Sequence, residues 1–366
     1  MTMKININKI QNINEWLGPI EKPLIIAGPC SIESEEQTIS IALELEKNPH
    51  VKIFRGGIWK PRTRPNSFEG VGEIGLKWLQ NVKKITNLKI ATEVATPEHV
   101  EKALKHDVDI LWIGARSTTN PFTVQAIADA IKGTNITVMI KNPVNPDLDL
   151  WIGAIERIYN AGITKIVAVH RGFSSFQKTK YRNAPEWKNV IELKRQIPSL
   201  PIITDPSHIC GNRESLLEIS QKAIDLNIDG LMIEVHNKPE YAMSDAHQQI
   251  TPDELNKLLN NLIPRNESSE NKDFENKLDT LRTYIDRIDD ELINIVAERM
   301  RIVEEIGRYK KENKVTILQI KRWDEIMKNR LILANSKNLK EDFINILFQL
   351  LHEESIIIQT EIMNNK

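Results

Sequence analysis

PLIIAGPCSIESEEQTISIALELEKNPHVKIF, residues Pro23 to Phe54, reads as strand, helix, strand. PLIIAG and VKIF are short apolar runs rich in β-formers, and EEQTISIALELEK between them has amphipathic helical spacing. The same unit then recurs. KIATE (89–93), DILWIG (109–114), TVMIK (137–141), KIVAVH (165–170), PIITD (201–205) and GLMIEV (230–235) alternate with helical stretches such as TPEHVEKALKH, NPFTVQAIADAIK, WIGAIERIYNAG and NRESLLEISQKAIDL. Several of these begin beside Ser, Thr, Asn or Asp and end near Gly or Asn, as capped helices do. Eight βα units in about 240 residues predict a closed (β/α)8 TIM barrel, with an open doubly wound sheet as the alternative.

The bulk composition narrows the function classes. At 366 residues, two domains are expected. Apolar and charged fractions of 40% and 27% are those of a globular protein, and a net charge of −1 gives no whole-chain electrostatic case for nucleic acid or a membrane surface. MTMKININKIQNINEW at the start has no apolar core of a signal peptide, and no apolar run reaches membrane-spanning length. Two cysteines, Cys30 and Cys210, argue for a reducing compartment. The expectation is a cytoplasmic protein acting on small molecules.

A barrel concentrates chemistry just beyond the C-terminal ends of its strands. Those positions carry Cys30, Arg55 with Lys60, Glu93, Arg116, Lys141, Arg171, His208 and Glu234. Five of these residues are Lys or Arg. Cations converging on one mouth repel unless an anion joins them, so two anionic groups, at least one a phosphate, are the natural ligand. The loop RGGIWKPRTRPNSFEG (55–70) adds Arg62 and Arg64 on a backbone controlled by Gly and Pro. Taken alone, that loop is equally a solvated basic surface or a nucleic-acid patch.

Cys30, His208 and Glu234, with Asp245 in the loop after the last strand, are metal-capable. Their sequence spacing is uninformative, and each has a bland reading as core or cap. Closure of a barrel makes strands one, seven and eight neighbours, which turns them into a candidate set. A mixed S/N/O/O site suits one divalent transition ion, Mn, Fe, Co or Zn, better than Mg. Gly70, Gly72 and Gly75 match a dinucleotide fingerprint, but they follow a proline-rich loop and not a strand, so nucleotide binding is set aside.

GPCSIES (28–34), RGGIWKPRT (55–63), GAR (114–116), HRG (170–172), DPSH (205–208) and AMSDAHQQI (242–250) resemble 3-deoxy-D-arabino-heptulosonate-7-phosphate synthases, of the subtype related to 3-deoxy-D-manno-octulosonate-8-phosphate synthase. The resemblance covers about residues 20–262 in order. It implies metal-dependent condensation of phosphoenolpyruvate with erythrose 4-phosphate, the entry step of the shikimate pathway. It further implies Cys30, His208, Glu234 and Asp245 as metal ligands, and Arg55, Lys60, Arg116, Lys141 and Arg171 around phosphoenolpyruvate. Lys60, Pro61, Arg62 and Thr63 would receive the aldose phosphate, and Lys60 and His208 would take part in catalysis. NPVNPDLDLW (142–151) is richer in proline than the family pattern.

PRNESSENK (264–272) is polar and aperiodic, a linker between a barrel of residues 1–263 and a helical domain of residues 273–366. The first helix, about Phe274 to Asn313, is too long for an ordinary globular helix and implies partner packing. With Arg282 at zero, its stripe of Leu278, Leu281, Ile285, Ile288, Leu292, Ile295, Val303 and Ile306 spans roughly 220° to 320°. Arg299 and Lys310 fall inside that stripe, at about 260° and about 280°. Two cations on an apolar line favour an anionic ligand between helices over a lone snorkelling side chain. Arg282 lies off the line and could serve a pocket in a second chain.

LDTLRTYIDRIDDELINIVAERMRIVEEIGRYK and LFQLLHEESIIIQ resemble the first and last helices of the all-helical chorismate mutases. The resemblance implies a three-helix domain that dimerises, and a Claisen rearrangement of chorismate to prephenate. Arg282 of the partner chain, Arg299, Lys310, Arg322, Ser355 and Gln359 would bind chorismate, with Lys310 and Gln359 on the breaking ether bond. Gln319 and Trp323 stand where the family usually carries acids. The expected protein is a bifunctional homodimer. The alternative makes the helical domain a module that senses chorismate or prephenate and regulates the barrel.

Overall fold

The structure is a computed structural model and describes residues 7, 9–60, 67–176 and 179–364. Its contacts divide the chain into two units, Met1–Glu267 and Ser268–Lys366.

The first unit is a closed parallel barrel of eight strands in sequence order. These are β1 (Leu24–Gly28), β2 (Val51–Arg55), β3 (Lys89–Val94), β4 (Ile110–Ile113), β5 (Thr137–Lys141), β6 (Ile166–His170), β7 (Ile202–Thr204) and β8 (Gly230–Glu234). Closure is the β1–β8 pairing, in register from Leu24 opposite Gly230 to Gly28 opposite Glu234. Strands enclosed by helices outside and side chains inside read as continuous apolar runs, which is why alternation is faint in the sequence. β7 ends a residue earlier than PIITD suggests. Pro206 cannot donate to the ladder, and Asp205 instead caps the short helix Pro206–Cys210 through the His208 amide.

Local chemistry sets the connecting helices. Ser34, Thr96, Asn120 and Asp147 cap helix starts, with proline at the first turn after Thr96 and Asn120. Thr251 and Glu254 form a full capping box on the last barrel helix.

The barrel interior holds its own apolar cluster, in which Ile26, Ile53, Ala91, Trp112, Met139, Val169, Ile203 and Met232 meet. A short helix, Ile13–Leu17, packs Ile13 into the same cluster, with Trp16 and Leu17 against it. Side chains alternate faces with a period of two. The residue two beyond each of these therefore also points inward, at the C-terminal end: Gly28, Arg55, Glu93, Gly114, Lys141, Arg171, Asp205 and Glu234.

Among the described residues the second unit holds three helices, α1 (Lys272–Glu312), α2 (Ile320–Ser336) and α3 (Glu341–Asn364). α1 packs on α3, and a Cβ at Gly307 would press on Gln359 and Ile362. On α1 only Val303 and Gly307 are buried, both in its C-terminal part. Leu281, Ile285, Ile288, Leu292 and Ile295 stay more than half exposed. Among the described residues, no helix is long and apolar enough to cross a membrane.

Candidate active sites

At the C-terminal mouth of the barrel, Lys60, Arg116, Lys141 and Arg171 line one cavity with Glu93, His208 and Asp245. Arg55 lies beneath it, fully buried, with its guanidinium over the Trp112 ring at 5.0 Å from the centroid. Lys141 Nζ is 5.8 Å from the same ring. Trp112 thus forms an aromatic floor under two cations, held by the face of its π system. Glycine is required at one strand end and lets Glu93 approach at another. A Cβ at Gly28, whose φ is +148°, would strike the Arg55 carbonyl, and one at Gly114 would strike the Glu93 carboxylate.

Acids partly balance these cations. Arg55 Nη2 sits 3.1 Å from Glu234 Oε1, and Lys141 Nζ donates to Asp205 Oδ2 at 2.9 Å. Arg55 Nε and Nη1 are buried with no hydrogen-bond partner among the described residues. Two unspent, buried guanidinium donors beneath the mouth are an invitation to a carboxylate or phosphate. Arg171 Nη1 donates to Asn183 Oδ1 at 2.8 Å, and burial lowers its pKa to about 10, so it stays charged at neutral pH. Burial opposes the charge on Lys60, yet Cys30, Glu93 and Glu234 hold its pKa above the usual lysine value; its Nζ donates to the Cys30 carbonyl at 2.8 Å. Arg116 is exposed at the rim. Pro61, Arg62 and Thr63 lie outside the described residues.

The metal-capable residues come together. Ligand atoms of Cys30, Glu234 and Asp245 all lie within 4.8 Å of one another, and His208 Nε2 is 3.7 Å from Glu234 Oε1. The Asp205 carboxylate, 2.9 Å from His208 Nδ1, accepts that nitrogen's proton, which turns the Nε2 lone pair toward the cluster. Burial lowers the His208 pKa, so the ring is neutral. Burial and Glu234 push the Cys30 thiol up to about 12, and the thiol donates to Asp245 Oδ2 at 3.3 Å. Glu234 Oε1 is buried with no hydrogen bond among the described residues, its contact with Arg55 being an ion pair without hydrogen-bond alignment. An orphaned buried carboxylate oxygen among S, N and O donors fits a divalent transition ion.

Four residues of this site are missed by strand-end reasoning. Trp112 looks like core, and Asp205 like a simple cap. Arg182 Nη1 reaches both Asp245 Oδ1 and Gln248 Oε1 at 2.9 Å, and Gln248 Nε2 donates to Glu234 Oε2 at 2.5 Å. One guanidinium therefore fixes two of the carboxylates. Cys210 is buried core, two residues beyond His208.

In the helical unit, Arg299 Nη1 donates to Ser355 Oγ at 2.9 Å and to the Leu351 carbonyl at 3.1 Å. Lys310 Nζ donates to the Ile317 carbonyl at 2.6 Å. Gln359 is buried, its Nε2 donating to the Ser355 carbonyl while Oε1 has no partner among the described residues. Burial lowers the pKa of both Arg299 and Lys310. Arg322 and Arg282 are exposed and hold Glu325 and Asp279 at 3.2 Å.

Comparisons with known proteins agree with this division. Residues 4–269 match the DAHP synthetase I family, and residues 281–360 match chorismate mutase type II. The phospho-2-dehydro-3-deoxyheptonate aldolase of Thermotoga maritima is 35% identical over 226 residues, covering 62% of this chain and 64% of that protein. This chain thus spans just under two thirds of that relative's length. The 2-dehydro-3-deoxyphosphooctonate aldolase of Geotalea daltonii is 28% identical over 266 residues, 66% of this chain and 92% of the relative. A crystal structure of the Thermotoga maritima DAHP synthase superposes with a TM-score of 0.58 at 33% identity, covering 64% of this chain and 66% of that one. The chain belongs to the DAHP synthetase I family and carries a chorismate mutase type II domain behind its barrel.

Proposed function

We propose that the barrel condenses phosphoenolpyruvate with erythrose 4-phosphate, giving 3-deoxy-D-arabino-heptulosonate 7-phosphate and phosphate, and that the helical domain converts chorismate to prephenate. The observation that carries the first activity is the cationic mouth: buried Arg55 with two open donors, backed by Lys141 and Arg171. These cations, with Arg116, grip the carboxylate and phosphate of phosphoenolpyruvate and hold its carbon 3 against the aldehyde carbon. Lys60, kept charged, faces the aldehyde, and Lys60 to Thr63 receive the aldose phosphate. Cys30, His208, Glu234 and Asp245 would hold one divalent transition ion, which when bound supplies Lewis acidity toward an aldehyde oxygen. Arg182 and Asp205 keep those side chains aimed.

For the helical domain, Arg299 with Ser355 clamps a carboxylate, and Lys310 and Gln359 stabilise charge developing on the ether oxygen. A domain that only sensed chorismate would need the clamp but not the inward Gln359. The exposed stripe Leu281 to Ile295 supports dimerisation through α1, which would bring the partner's Arg282 to the site.

Full-length protein supplied with phosphoenolpyruvate and erythrose 4-phosphate, and separately with chorismate, tests both assignments by product analysis. Heptulosonate phosphate and prephenate are expected; absence of either product removes that activity. A second reading, condensation with arabinose 5-phosphate, is favoured by the octulosonate-type relative matched over 92% of its length.

A further inference from the structure

Ser355 and Gln359 are the buried polar residues on the inner face of α3, and helical spacing puts His352 one turn earlier on that face. His352 is half-buried, and its ring lies flat on Trp323 of α2, 4.0 Å between centroids with planes 15° apart. Trp323 is the immediate neighbour of Arg322. The stack fixes the imidazole plane, so its ring nitrogens have set directions and little rotamer freedom is lost on binding a ligand.

The electrostatic setting is mainly cationic. Arg299 and Lys310 from α1 both act on His352, and with burial they lower its pKa. Glu353 acts against them, from an exposed position, and Glu325 holds Arg322. A pocket with cations for two carboxylates still has to meet the neutral, hydroxylated part of its substrate ring. At neutral pH an uncharged imidazole offers one donor and one acceptor for that purpose without adding to the cationic charge.

Resting on the mutase reading above, we infer that His352, oriented by Trp323, contacts the ring hydroxyl of the substrate and so selects hydroxylated cyclohexadiene dicarboxylates over their deoxy analogues. Losing the partner of a buried hydroxyl costs a factor of about ten in kcat/KM.

The test uses full-length protein with chorismate and its 4-deoxy analogue. Wild-type turnover of chorismate establishes the mutase reading before any variant is made, and its absence overturns that reading together with this one. His352→Phe keeps the stack on Trp323 but removes both nitrogens. It is expected to lower kcat/KM for chorismate about tenfold and leave the deoxy analogue within about twofold. His352→Gln, which restores a donor and an acceptor, is expected to recover part of the chorismate rate only. Equal losses on both substrates, or no loss on chorismate, would overturn the assignment while leaving the mutase activity in place.

Discussion

Arg55 and Glu234 meet at 3.1 Å with both side chains closed to solvent, from the ends of β2 and β8 on either side of β1. One belongs to the proposed phosphoenolpyruvate pocket and the other to the proposed metal-ligand set, so this pair joins the two halves of the site. Replacing Arg55 by Ala leaves Glu234 as an uncompensated buried charge. Such losses run to about 3–5 kcal/mol, and the denaturant midpoint of the metal-free protein is expected to fall accordingly. KM for phosphoenolpyruvate should rise in the same variant. An unchanged midpoint would mean that the pair contributes nothing.

Metal binding should follow pH through Cys30. Its thiol, with a pKa of about 12, is protonated throughout the neutral range, whereas His208 is already neutral. Binding as thiolate therefore releases about one proton, and affinity should rise about tenfold per pH unit around neutrality. Titration calorimetry in buffers of different ionisation enthalpy measures that proton. A flat profile would exclude Cys30 from the ligand set.

His170 sets a second pH effect, on folding. The ring is fully buried, and burial lowers its pKa to about 4 against an ordinary 6.5. Its folded pKa is depressed, so the unfolded chain takes up the proton first as pH falls. The stability it contributes is present above pH 6.5 and is lost on descending toward pH 4, amounting to about 2 kcal/mol between 6.5 and 5. Urea unfolding at those two pH values reads it. His170→Gln should flatten the difference by that amount.

In the helical domain, Lys310→Ala or Gln359→Ala should lower mutase kcat by about a hundredfold or more, since each removes a donor proposed to act on the breaking ether bond. Phosphoenolpyruvate consumption by the barrel should be unaffected. Parallel losses of both activities would point to unfolding instead.

Ile288→Glu with Leu292→Glu places charge on the uncovered stripe of α1. Sedimentation should then show monomer in place of dimer, with mutase activity falling because the partner's Arg282 is removed. A wild-type protein that sediments as monomer would contradict the dimeric site.

Much of the barrel could be read along the chain. Each strand is a short apolar run, and stepping two residues past an interior one, such as Met139, lands on a mouth residue, Lys141. Of the candidate metal ligands, the same step lands only on Glu234; Cys30 and His208 lie two and three residues beyond the inward Gly28 and Asp205. What spacing hid were contacts that closure creates. Asp205 serves Lys141 from 64 residues away, and Arg182 reaches Asp245 across 63. Nothing local marks either. Trp112 reads as an ordinary strand residue because only the finished mouth sets Arg55 and Lys141 above its ring. In the helical unit, the stripe on α1 was plain in the sequence. Its division into a C-terminal part packed on α3 and an uncovered N-terminal part depends on where α3 ends.

The most direct test of the barrel assignment is a competition in one tube. Full-length protein, loaded with Mn and given limiting phosphoenolpyruvate with equal erythrose 4-phosphate and arabinose 5-phosphate, is analysed by mass spectrometry for seven- and eight-carbon products. The seven-carbon sugar acid phosphate is expected to dominate by a factor of about ten or more. A majority of eight-carbon product would contradict the account.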